Sequence, residues 1–193
     1  MKKKLLAASL ITVCISLPAY STFAYFTAED KAHNIVKAGG VDISIVEWQM
    51  QNGKRVPYPT DAPIKIMPDT RVSKIPTVES YEQDTYIRVN LKIIIKDKDG
   101  NVIELTDDEI KKFIKIQINE EYWLTRDPDD GWWYYRVPVG GGKATEPLFE
   151  EVFFSGADMG NEFSLCTIEI DVNAQGVQAA NNGDTVFDAA GWE

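Results

Sequence analysis

From Tyr86 to Lys96 the chain alternates: Ile87, Val89, Leu91, Ile93 and Ile95 fall on one parity, and Arg88, Asn90, Lys92 and Lys96 on the other. Only an extended strand gathers these aliphatic residues on one side, because successive side chains of a strand point to opposite faces. Asp97-Lys98-Asp99-Gly100 follows as a turn, with Gly100 able to take positive φ. The same period returns from Leu165 to Ala174, where Cys166, Ile168, Ile170, Val172 and Ala174 face inward and Thr167, Glu169, Asp171 and Asn173 face out. Two half-buried strands of this length need partners and a second layer.

Shorter strands are expected at Val41 to Trp48, Ile64 to Met67, Arg71 to Val78, Ile114 to Ile118, Trp132 to Val137 and Leu148 to Phe154. Prolines, among them Pro57, Pro68, Pro76, Pro128, Pro138 and Pro147, punctuate them, as suits residues confined to strand ends and edges. One helix is signalled. Thr106 and Glu109 form a capping box, Leu105 can staple against Ile110, and Ile110, Phe113 and Ile114 give a short apolar stripe. The expected fold is all-β and mainly antiparallel: a jelly-roll-like β-sandwich with one short helix. No internal repeat or linker divides it, and Gly140-Gly141-Gly142 reads as a loop within the domain.

The first residues obey a different constraint. Lys2, Lys3 and Lys4 precede an uncharged apolar run from Leu5 to Leu17, too short to span a bilayer, and Pro18 ends it. Ser21-Thr22-Phe23-Ala24 then supplies small residues before a cut expected between Ala24 and Tyr25. Residues 1–24 are thus a cleavable signal peptide and residues 25–193 a single secreted β-sandwich domain. The processed chain has 169 residues and keeps 17 Lys and Arg against 30 Asp and Glu, a net charge of −13. That balance argues against nucleic acid or an anionic membrane surface, both of which need clustered cations. No later stretch approaches membrane-spanning length. Cys166 is left as the lone cysteine, so no internal disulfide can form.

Catalytic patterns are missing. The single histidine, His33, cannot build an HExxH zinc site, and the chain holds no GxSxG elbow, P-loop or dinucleotide fingerprint. Cys166, on the inward face of its strand, reads as a small core hydrophobe. The acidic turns Asp97-Lys98-Asp99-Gly100-Asn101 and Asp127-Pro128-Asp129-Asp130-Gly131 lack the glycine position and distal Glu of an EF-hand loop, so they read as solvated turns, with a weak surface calcium site as the alternative. No other cofactor is expected. Trp132, Trp133, Tyr134 and Tyr135 are a candidate surface-contact cluster, for assembly or for sugars, although alternation in a strand turns about half of them into the core.

A run of short motifs resembles the TasA/camelysin family of secreted Gram-positive bacterial proteins. It comprises Ser21 to Thr27, Asn34, Gly40-Val41-Asp42-Ile43, Ile75-Pro76-Thr77-Val78 leading to Tyr86-Ile87-Arg88-Val89, Trp132 to Tyr135 before Thr145-Glu146-Pro147-Leu148-Phe149, and Val177-Gln178-Ala179. The resemblance implies a jelly-roll sandwich, removal of the signal by a dedicated signal peptidase, and a place in the biofilm matrix or at the cell surface. It implies fibre subunits in which the freed N-terminal segment adds as a strand to the next copy or to a related matrix protein. Residues 25–36 would be that segment here, with Tyr25, Phe26, Ile35 and Val36 as apolar anchors and Glu29-Asp30-Lys31 as a departure. Two other expectations for residues 25–36 stand beside it: a floppy terminus, or a strand within the same chain. A secreted adhesin using the aromatic cluster is the alternative function. The metalloprotease activity attributed to camelysin is a third, which the lone histidine supports poorly; the expectation is no enzyme.

Overall fold

The computed structural model describes residues 26–29, 41–59, 64–66, 68–158, 163 and 166–192. The expected signal segment, the Ala24–Tyr25 cut, His33, Ile35 and Val36 lie outside them.

The elements run β1 (Phe26–Glu29), β2 (Ile43–Gln51), β3 (Lys54–Pro57), β4 (Ile64–Ile66), β5 (Thr70–Ser73), β6 (Ile75–Ser80) and β7 (Thr85–Lys96). Helix α1 (Asp107–Phe113) leads directly into β8 (Ile114–Ile116). Then come β9 (Trp123–Thr125), β10 (Trp133–Tyr135), β11 (Lys143–Ala144), β12 (Glu151–Phe154) and β13 (Thr167–Gln178). They form a six-stranded sheet in the order β4-β1-β13-β7-β10-β9, a four-stranded sheet β11-β6-β2-β3 and a three-stranded sheet β5-β12-β8. Every pairing is antiparallel except β1 with β13. Over the described residues the chain is an all-β protein with one short helix.

The two alternating segments are the backbone of the fold. β7 and β13 pair along their whole length, from Thr85↔Gln178 to Lys96↔Thr167. The register sets Ile95 opposite Ile168, Ile93 opposite Ile170, Leu91 opposite Val172 and Val89 opposite Ala174, so the aliphatic faces coincide. Ile87, Val89, Ile95, Ile168, Ile170 and Val172 are buried in the main core with Trp123, Phe149 and Phe154. Each buried aliphatic side chain contributes roughly 1.5–3 kcal/mol.

The remaining elements follow local chemistry. The segment expected at Arg71 to Val78 is two strands, because Lys74 is where the chain crosses from the three-stranded to the four-stranded sheet. β3 was not among the expected strands, yet Asn52-Gly53, both at positive φ (53° and 74°), makes the tight turn that folds it onto β2. At α1 the capping box is complete: the Glu109 amide donates to Thr106 Oγ1, and the Thr106 amide donates to the Glu109 carboxylate. The expected helical stripe is cut short at Ile114, which caps α1 in an extended conformation and opens β8. A second, smaller core covers the outer face of the six-stranded sheet, where Val186 and Ala189 bury Tyr86, Tyr134 and Val177. Among the described residues no helix is long and apolar enough to cross a membrane.

Candidate functional site

β1 occupies an interior lane of the six-stranded sheet. On one side it runs parallel to β13, with Thr27↔Thr167, Ala28↔Ile168 and Glu29↔Glu169. On the other it runs antiparallel to β4, with Phe26↔Ile66 and Ala28↔Ile64. Among the described residues β4 has no other strand partner, so β1 is its one link to the sheet. Of the four expected anchors, Phe26 falls in this strand; Tyr25, Ile35 and Val36 lie outside the described residues. In this single chain Phe26–Glu29 is an intramolecular strand.

The aromatic cluster is organised differently from the expected contact surface. Trp133 and Tyr135 face the main core, and Tyr134 faces the second core with Trp132 beside it. Tyr134 and Tyr135 are buried and do not serve as surface contacts; Trp132 and Trp133 are half-buried. Alternation does send neighbours to opposite faces, but at β10 both faces are covered, the outer one by the C-terminal segment. Tyr135 packs edge-on against Trp123, and Tyr134 meets Phe187 and Trp192.

Arg88 holds this outer layer together. Its guanidinium lies 4.2 Å from the Trp132 ring centroid and 4.9 Å from that of Trp192, while Nε and Nη2 both donate to Gln175 Oε1. Nη1 donates to the Tyr134 hydroxyl, which in turn donates to Asp130 Oδ2 at 2.5 Å. Burial, helped by the bond to Asp130, pushes the Tyr134 phenol above its usual range; burial does the same to Tyr135. The cation that an aromatic face could recruit is therefore already supplied from within.

The acidic turns use their carboxylates internally. Asp97 Oδ1 accepts from the amides of Asp99 and Asn101, and Oδ2 from Asn101 Nδ2. The Asn101 contacts hold the Asp97 carboxyl below its ordinary range. Asp129 accepts from the Gly131 amide, and Asp130 from the Trp132 amide. Among the described residues no group of three His, Cys, Asp or Glu side chains is placed to hold a metal ion. Cys166 is buried, and burial raises its thiol pKa, so it lies on the core face as expected.

Sequence reasoning missed two features. The Lys74–Glu47 pair is buried, and nothing in either segment marks it in advance. The Arg88 cluster had a partial signal, a lone Arg on the polar face of an otherwise clear strand, but its partners Gln175 and Trp192 are far away in sequence. No protein-family model, curated protein or solved structure matches this chain.

Proposed function

We propose that this chain is a secreted structural protein of the extracellular or biofilm matrix, which builds fibres by passing its N-terminal strand to a neighbouring copy after signal cleavage. The observation that supports this is the lane of β1: a strand of four residues, next to the expected new amino end, pairs on both sides. If β1 leaves, β13 and β4 each lose a row of backbone partners, and the same segment of another copy restores both rows. Exchange of identical elements conserves the contacts, so it is a low-cost route to association. A head-to-tail exchange does not close on itself and therefore grows filaments. The cut between Ala24 and Tyr25 is the trigger in this reading, because it releases the end that must move.

The test is electron microscopy of the chain beginning at Tyr25, followed over time, beside the same chain lacking residues 25–36. Filaments from the first and none from the second are expected. Processed chain that stays monomeric at high concentration, with β1 held in its own sheet, overturns the proposal.

A further inference from the structure

We propose that Asn52 is a site of spontaneous covalent modification, where deamidation of the Asn52-Gly53 step rewrites the β2–β3 turn, while the chain's other Asn-Gly step, Asn182-Gly183, is shielded by the fold. Every other asparagine precedes a residue that carries a side chain. The reaction is intramolecular. The backbone nitrogen of the following residue attacks the asparagine Cγ, closing a succinimide ring and expelling the side-chain nitrogen as ammonia. Water then opens one of the two ring carbonyls, leaving aspartate or isoaspartate. Glycine favours the attack, because it has no Cβ to crowd the nitrogen and leaves the backbone free to turn. By sequence the two steps are equivalent; the structure separates them.

At the β2–β3 turn nothing restrains the reacting groups. Asn52 and Gly53 are the central residues of a turn closed by Gln51 and Lys54, with φ of 53° and 74°. Both are exposed, and the space beside the Gly53 Cα is open. Among the described residues neither the Asn52 carboxamide nor the Gly53 amide makes a hydrogen bond. The carboxamide can therefore swing onto the Gly53 nitrogen without breaking any contact.

Asn182 is held on three sides. Its Nδ2 donates to the Gln178 carbonyl at 2.9 Å and to the Ala190 carbonyl at 3.0 Å, and its Oδ1 accepts from the Ala190 amide at 2.8 Å. Both N–H groups and the oxygen are thus in use, and the carboxamide must give up all three bonds to reach the Gly183 nitrogen. Gly183 is itself packed: a Cβ there would meet the Asp188 backbone carbon at 2.9 Å, so the loop has little room to turn. The product is opposed as well, because a carboxylate would set a charged oxygen against two carbonyl oxygens. Ring closure at Asn182 therefore waits until the C-terminal segment, with Val186 and Ala189, lifts from the sheet.

The two products act differently on the fold. Aspartate keeps the main chain and tolerates the left-handed conformation of residue 52, so the turn survives with an added negative charge near Lys54 and Arg55. Isoaspartate routes the main chain through the side-chain methylene, and the lengthened turn no longer sets Gln51 against Lys54. Among the described residues β2 is the one strand partner of β3, so this change loosens β3 and bares the edge of β2 from Trp48 to Gln51. The reaction consumes only water and does not depend on the fibre reading.

The experiment ages the chain beginning at Tyr25 in heavy-oxygen water at neutral pH and follows the peptides that contain Asn52 and Asn182 by mass spectrometry. Uptake of heavy oxygen marks each conversion that occurred during ageing. In the folded chain Asn52 is expected to convert at least roughly tenfold faster than Asn182. In urea the two rates should converge, because the reacting atoms are then the same. The isoaspartyl form, separated from the aged sample, should lose amide protection at Lys54 and Val56 by hydrogen exchange. Asn52→Asp, which adds the charge without the methylene, should keep it. Equal rates at the two sites in the folded chain overturn the proposal. So does a folded chain in which Asn52 stays intact while the urea-unfolded chain converts, or an isoaspartyl form with unchanged protection at Lys54 and Val56.

Discussion

Lys74 Nζ sits 2.7 Å from Glu47 Oε1, with only 3% and 7% of the two side chains exposed, and 4.6 Å from the Tyr58 ring centroid. A pair this deep is weak evidence of net stabilisation, but each member neutralises a charge the interior cannot solvate. Lys74→Ala is expected to lower the unfolding free energy by about 3–5 kcal/mol. The double variant Lys74→Met, Glu47→Leu should recover most of that loss, read by urea unfolding.

Tyr134 and Tyr135 have phenols raised above the usual value, first by burial, and the Cys166 thiol is raised for the same reason. For acids whose folded pKa is raised, the folded state holds protons that the unfolded state releases. Stability is therefore flat below the unfolded values and falls as pH climbs past about 8.5 for the thiol and about 10 for the phenols. Unfolding midpoints measured from pH 7 to pH 11, beside tyrosinate absorbance, check the sign. Tyr135→Phe should flatten the alkaline end of the curve.

Gly141 admits no side chain. A Cβ there would meet the Glu82 carbonyl oxygen at 2.7 Å and its carbon at 2.9 Å, both backbone atoms that cannot rotate aside. Gly141→Ala is expected to cost about 1–3 kcal/mol, as overpacking does. Gly142→Ala, with open space around it but φ of 74°, should be destabilised through backbone strain alone. Thermal unfolding of both variants separates the two causes, since only Gly141→Ala should also disturb amide shifts around Glu82.

Thr106→Ala removes the side-chain acceptor of the capping box and should cost about 1 kcal/mol. The Glu109 carboxyl is held below its ordinary range, first by the Thr106 backbone amide. That contribution is present above the unfolded carboxyl value and is lost as pH falls through the lower folded one. A titration of wild type and Thr106→Ala by NMR should show Glu109 moving up toward its ordinary value in the variant.

How much was readable in advance depended on the range of the controlling interactions. β7 and β13 announce themselves because period two is a local property, and α1 does so because its cap lies within four residues. The split at Lys74 is not local: it exists because the chain changes sheets there, and sequence continuity hides it. The aromatic cluster was half legible. Alternation correctly divides Trp133 and Tyr135 from Tyr134, but only the tertiary fold brings Val186, Ala189 and Trp192 across to cover the second face. β3 was readable from Asn52-Gly53 and was missed because Lys54 to Pro57 alone lacks an apolar pattern. The lane of β1 rests on pairing with Ile64–Ile66 and with the start of β13, both distant from it in sequence, which no local pattern encodes.

That lane has a further consequence for how the molecule opens. Because β4 reaches its sheet through β1 alone among the described residues, β1 cannot leave without freeing β4, whereas β4 at the edge can fray while β1 stays on β13. Amides of Ile64–Ile66 should exchange with an opening free energy no greater than that of Phe26–Glu29, since every opening of β1 also opens β4. Whatever removes β1 from its lane, whether trimming, tagging or capture by a neighbour, is thus felt at β4.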